Sequence, residues 1–168
     1  MKIAQETAFL STCTKKHVGA VLVKDGRILS TGYNGAPSKT SHCTKKTCLR
    51  FLSRDNRNSE LCKGVHAEIN TIIQCAIQGT KIKKNTSIYC THFPCMSCTK
   101  MLINAGIKEI IFKEEYEMNN LEKFNLISEA KIEIRSFHWK SGIYKKFYEL
   151  HLFNIGNHIN QIKKGIGL

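Results

Sequence analysis

Long apolar runs are missing from this chain of 168 residues. Nothing approaches the roughly 20 consecutive apolar residues that cross a bilayer, so no membrane contact is expected. Lys2 is followed by Ile3-Ala4-Gln5-Glu6 with no apolar h-region, which predicts no signal peptide and a cytoplasmic location. Proline occurs only at Pro37 and Pro94, and no internal repeat or low-complexity linker divides the chain. Acidic residues are scarce: 13 against 26 Lys and Arg, for a net charge of +13. That balance suits an anionic partner, nucleotide or nucleic acid. In a chain also rich in Ile and Asn, the lysines serve equally well as solvated surface.

Cysteine, by contrast, is abundant. Eight cysteines in an intracellular setting argue against a disulfide scaffold and for metal or thiol chemistry. The length fits one domain, placed at residues 1–153, with 154–168 as a basic tail.

Hydrophobic periodicity predicts a short amphipathic helix over 3–12. Val18 to Val23 and Ile28 to Thr31 read as strands joined by an Asp25-Gly26 hairpin turn. Gly32-Tyr33-Asn34-Gly35-Ala36-Pro37 is a run of turn formers of the kind found beside sites. Residues 38–64 form a polar, cysteine-bearing insertion without periodicity, long enough to need a tether. A helix is expected from about His66 to Ala76, stopped by Gly79. Strand 86–91, a helix from Cys95 to about Ala105, strand 107–112, helix 119–130 and strand 131–135 follow. Ile143, Phe147 and Leu150 mark one face of a terminal helix. The pattern is α/β: a mixed sheet of about five strands with helices packed on it.

Within it, His66-Ala67-Glu68 and Pro94-Cys95-Met96-Ser97-Cys98 carry the chemistry. On a helix, residues i and i+2 point to different faces, so His66 and Glu68 share a site only at a helix's first turn. Cys95 and Cys98 share a face, and Pro94 suits a helix start, whose positive dipole end favours thiolates. Two helix N-termini should therefore meet at one zinc ion held by His66, Cys95 and Cys98. Three N/S ligands with an open position are the catalytic arrangement, in which water is acidified to a pKa of about 7. Glu68 is left to move protons.

This His-x-Glu…Pro-Cys-x-x-Cys pattern resembles the signature of zinc nucleobase deaminases. Residues Cys13 to Pro37, His42-Cys43, Cys48-Leu49-Arg50, Leu61 to Glu68 and Tyr89 to Cys98 resemble deoxycytidylate (dCMP) deaminases, including the bacterial competence-operon branch, over about residues 3–135. The resemblance implies a cytidine-deaminase-like three-layer α/β/α sandwich and the conversion of dCMP and water to dUMP and ammonia. It also implies substrate contacts from Asn34, from Ala67 and Thr91-His92-Phe93, and from Tyr116 closing over the base. Effector control by dCTP and dTTP near Gly32, Tyr33 and Gly35, phosphate contact by Lys15 and Lys16, and a hexameric or dimeric homo-oligomer belong to the same implication. So does a second, structural zinc on Cys13, Cys43, Cys48 and Cys62, with His42 as a substitute ligand.

Cys75 and Cys90 read as small core residues. Phe147, Tyr148 and Phe153 with nearby lysines read as core or subunit interface before a stacking surface for nucleic acid. Two other functions stay open: deamination of tRNA adenosine or single-stranded DNA cytosine, since +13 favours phosphates, and a non-catalytic zinc-stabilised DNA-uptake or binding module. Retention of Glu68 beside a full ligand set speaks against the latter.

Overall fold

The computed structural model describes residues 1–52 and 62–137, and the backbone of 144–146. The elements in order are α1 (Lys2–Ala8), β1 (Gly19–Lys24), β2 (Arg27–Tyr33), α2 (Leu49–Leu52), α3 (Ala67–Ile77), β3 (Thr86–His92), α4 (Met96–Asn104), β4 (Ile107–Glu114), α5 (Leu121–Glu129), β5 (Glu133–Phe137) and β6 (Tyr144–Lys146). Among the described residues no helix is long and apolar enough to cross a membrane.

The strands form one mixed sheet in the order β2-β1-β3-β4-β5-β6. β1 pairs antiparallel with both β2 and β3, β3-β4-β5 run parallel, and β6 returns antiparallel on β5. The β1–β2 hairpin turns through Asp25 at φ 50° and Gly26 at φ 74°, the left-handed pair that a two-residue hairpin requires.

Register decides what each face carries, because successive strand residues point to opposite sides. Ala20, Leu22, Ile88, Cys90, Ile110, Phe112 and Ile134 gather with Ala67 and Cys75 of α3, Leu102 of α4, and Phe124 and Ile127 of α5 in one buried cluster. Gly19 lies on the other face, so close to α1 that an added Cβ would collide with the Ala4 carbonyl oxygen. The result is α1 on one side, the sheet in the middle, and α3–α5 on the other. This is the expected three-layer sandwich, with Cys75 and Cys90 in its core.

Beyond shifts of one or two residues at several element ends, the structure departs from the sequence reading in these places. α1 ends at Ala8, short of 12, because the Ser11 hydroxyl donates to the Asn34 carbonyl oxygen at 2.8 Å, which draws the chain out of the helix. β5 begins at Glu133, since Lys131 sits at φ 54° in a turn. The insertion contains a one-turn helix, α2. A terminal helix was expected where Tyr144–Lys146 instead form a strand, which adds a sixth strand at the sheet edge. Ile143, Phe147, Leu150, Tyr148, Phe153 and the 154–168 tail lie outside the described residues.

Candidate active site

The site begins with a backbone staple. Gly35 N donates to the Val65 carbonyl at 3.1 Å and Val65 N donates to the Gly35 carbonyl at 2.8 Å. Side chains have little room here: a methyl group on Gly35 would strike Thr12 Oγ1. The staple delivers His66 as the N-cap of α3, in extended backbone at φ −75°, ψ 153°. Cys95 is the matching N-cap of α4, at φ −69°, ψ 170°. Glu68 and Cys98 lie in the first turns of the two helices and are both buried.

The two N-termini bring three donors together. His66 Nδ1 lies 3.3 Å from Cys98 Sγ and 3.4 Å from Cys95 Sγ. Among the described residues, these three form the one group of His, Cys, Asp or Glu ligand atoms within 4.8 Å of one another. Zn–N near 2.0 Å and Zn–S near 2.3 Å at a tetrahedral angle place nitrogen and sulfur about 3.5 Å apart, so the observed spacings fit that ion. Protonation agrees. The Cys98 and His66 hydrogen bonds hold the Cys95 thiol down at about 4, while the bond to Cys95 and burial push Cys98 up. The two thiols share a hydrogen bond and so hold one proton between them, which metal binding would displace.

Glu68 is 4% exposed. Burial raises its carboxyl above the usual value, with nearby His66 acting the other way. It opens onto a cavity also lined by Ala67, Asn34, His92, Phe93 and Tyr116. The Phe93 ring forms the floor against Phe112 and Phe124, with centroids at 4.8 and 5.7 Å. Lys16 Nζ stands 4.7 Å from the Tyr116 ring centroid at the rim. Both amide atoms of Asn34 bind the chain: Oδ1 accepts from Val18 N at 2.8 Å and Ser11 Oγ at 2.7 Å, and Nδ2 donates to the Lys16 carbonyl at 2.8 Å. Asn34 thereby shapes the wall that carries Lys15 and Lys16.

Two expected residues lie elsewhere. Thr91 points to the α1 side of β3, where it accepts from Gly19 N at 3.1 Å and lines a second hollow together with Lys2, Glu6 and His92, the histidine bordering both spaces. Gly32 faces α3, and a Cβ there would come within 2.5 Å of the Ala67 carbonyl oxygen. It is a close-packing glycine, and Tyr33 beside it is exposed. Cys13, Cys43, Cys48 and Cys62 all line the cavity. No three of them come as close as the trio, although burial and then the charges of its neighbours, Cys48, Cys62 and Cys13 among them, act on the Cys43 thiol. Sequence reasoning missed Arg50, which α2 brings to the cavity. It also missed Lys123, buried on the same face of α5 as Phe124 and Ile127; a lysine in an apolar stripe was the available signal.

The family model for the cytidine and deoxycytidylate deaminase zinc-binding region matches residues 1–114. The chain is 34% identical over 137 residues to deoxycytidylate deaminase of Saccharomyces cerevisiae, covering 82% of this chain and 43% of that one. It is 37% identical over 110 residues to ComE operon protein 2 of Bacillus subtilis, covering 66% and 54%. The chain thus spans about half the length of these two relatives. The dCMP deaminase of cyanophage S-TIM5, solved in complex with dCMP and dUMP, superposes with a TM-score of 0.64 at 28% identity, over 80% of this chain and 91% of that one. With its two helix N-termini converging on a His/Cys/Cys trio beside a buried glutamate, the chain belongs to the cytidine and deoxycytidylate deaminase zinc-binding family.

Proposed function

We propose that this chain catalyses the zinc-dependent hydrolytic deamination of dCMP to dUMP and ammonia, a source of dUMP for thymidylate synthesis. The observation that carries the reading is the buried Glu68 carboxyl on the cavity wall beside His66, Cys95 and Cys98. The S-TIM5 relative, which binds dCMP and dUMP, supports the choice of substrate. His66, Cys95 and Cys98 would hold the ion. Bound zinc supplies a Lewis acid that makes water nucleophilic near neutral pH.

The remaining chemistry belongs to the chain. Glu68 takes one proton from the water and gives it to the pyrimidine ring nitrogen, then takes the second from the hydroxyl added at the ring carbon and gives it to the departing amine, which leaves as ammonia. A carboxyl raised towards neutrality suits both halves of that shuttle. Phe93 and Tyr116 enclose the base in a desolvated slot, and His92 stands on its wall. Lys15, Lys16 and Arg50 give the rim the positive charge that a nucleotide phosphate needs; Lys acts as a point charge where Arg offers a fork.

The reading extends to a deaminase domain over 1–153, a second zinc on Cys13, Cys43, Cys48 and Cys62, a cytoplasmic homo-oligomer (hexamer or dimer), and control by dCTP and dTTP. Family resemblance supports the second zinc, the homo-oligomer and the effector control, and chain length supports the single domain.

The test offers dCMP, cytidine, tRNA and single-stranded DNA to the wild type and to Glu68→Ala, with dCTP or dTTP added to the dCMP arm. dCMP should be deaminated, with turnover in the variant lower by at least about 10²-fold and its zinc content unchanged. Turnover confined to tRNA or DNA would refute the assignment. No Glu68-dependent turnover of any substrate would point to a binding module, and substrate curves unmoved by dCTP and dTTP would remove the effector reading.

A further inference from the structure

The side chain of Lys123 is fully buried, at 0% exposure. A lysine so placed needs acceptors for its ammonium. Nζ donates to the Pro94 carbonyl at 3.1 Å and to the Tyr116 carbonyl at 3.3 Å. The nitrogen also stands 4.6 Å from the centroid of the Phe93 ring, within cation–π range. An ammonium has three donors, and two carbonyls and a ring face receive them. Burial lowers the Lys123 pKa, opposed by the negative charges of Glu117 and Cys95.

These partners are three separate pieces of the active site. Pro94 directly precedes the ligand Cys95 at the α4 N-cap. Tyr116 walls the cavity from the β4–α5 connection, and Phe93 is its floor. The Pro94 carbonyl, in a buried contact next to Cys95, would lose its Lys123 donor if the ammonium were removed, and the half-buried Tyr116 carbonyl would lose one as well. No catalytic step uses Lys123, and it does not line the cavity.

We propose that Lys123 is a positioning residue for the metal centre. Its ammonium ties the ligand loop at Pro94-Cys95 to the Tyr116 wall, and places a fixed positive charge behind the Cys95 thiolate. Outer partners of this kind tune metal affinity by about 10- to 100-fold. The inference rests on the zinc reading of the trio, and on the deamination reading only for its kinetic arm. Zinc retention is measured without substrate, so the two can fail separately.

Lys123→Met is the decisive variant, because it keeps the bulk of the stem and removes the charge and all three donors. Chelator competition on the zinc-loaded protein should show zinc held at least about 10-fold more weakly while circular dichroism stays native. In the dCMP assay, KM should rise as the Tyr116 wall loosens, beyond any fall in kcat caused by zinc loss when excess zinc is supplied. Lys123→Ala should regain zinc retention with ethylammonium but not with ethanol. Wild-type zinc affinity in Lys123→Met, or equal rescue by ethanol, would reduce the residue to a space filler and overturn the proposal. Should neither variant fold, the Nζ resonance of Lys123 in 15N-lysine-labelled wild type decides. A shift on stripping zinc supports the coupling, and an unmoved resonance overturns it.

Discussion

His92 ends β3 with its ring on the cavity wall and Nδ1 3.1 Å from Thr91 Oγ1. Burial and then the Lys16 charge hold its imidazole below the usual 6.5, with Glu114 pulling the other way and Lys113 adding to Lys16. A histidine lowered in the folded state is neutral at pH 7, and between its folded and unfolded values the unfolded chain binds more protons. Stability therefore rises with pH through that window and is lost as pH falls below 6.5. Two-dimensional NMR of the ring protons should give a midpoint below 6.5, and His92→Gln should flatten the decline in Tm from about pH 7 to about pH 5. A midpoint above 6.5 would contradict this environment. Legibility at this scale follows the constraint behind each residue. Metal coordination dictates residue type and spacing, so the His66, Cys95 and Cys98 trio could be read directly. Where Thr91 and Gly32 point depends on which sheet face they occupy, a matter of register with no local signature. The roles of Arg50 and Lys123 are set by burial, and surface and buried lysines look alike in a string of letters.

α5 links the core to the ligand loop, since Phe124 and Ile127 enter the buried cluster while Lys123 reaches Pro94. Its start is fixed by Asn120, the N-cap, whose side-chain Oδ1 accepts from Lys123 N at 3.0 Å. Removing an Asn cap costs about 1 kcal/mol. Asn120→Ala should lower unfolding stability by that amount in urea titrations. Because the first turn of α5 carries Lys123, the variant should also release zinc to a chelator faster than a control of equal stability loss such as Gly26→Ala, at the positive-φ hairpin position. Equal release from the two would uncouple the cap from the site. The five long strands and the two ligand helices were legible because alternation, a helical period and Gly stops agreed along each of them. β6 was not. Ile143, Phe147 and Leu150 satisfy a helical template, whereas Tyr144–Lys146 has three residues, two of them lysines, and becomes a strand through its pairing with Arg135–Phe137 of β5. Tertiary pairing overrode a local pattern, as it commonly does for short edge strands.

Across the whole molecule, one cavity joins the sheet to the insertion. The His66/Cys95/Cys98 trio lies on one side and Cys13, Cys43, Cys48 and Cys62 also face in. The ends of the insertion are held by the Gly35–Val65 staple and by Lys63 Nζ donating to the Ser41 carbonyl at 2.6 Å. Neither contact reaches its middle, where burial raises the Cys48 thiol but the backbone amides of Phe51 and Arg50, the Thr14 hydroxyl and the Lys15 charge together draw it below its usual value. A lowered thiol near three others favours a cation, and a second zinc there would cross-link residues 13 and 62 across the first helix and the insertion. Metal that binds only the folded chain adds stability by mass action, about 4 kcal/mol at a thousandfold excess over its Kd. Protein purified without chelator should carry two zinc ions per chain. Chelation should release them in two phases, the trio's ion abolishing turnover and the other lowering Tm. Cys48→Ser should leave one ion and Glu68-dependent turnover, with Tm down by roughly 4–8 °C if about 2 kcal/mol is lost in a chain of this size. A count of one zinc in the wild type, or a Cys48→Ser variant with unchanged Tm, would show that packing alone tethers the insertion. The cluster would then be four reduced thiols beside a single catalytic ion.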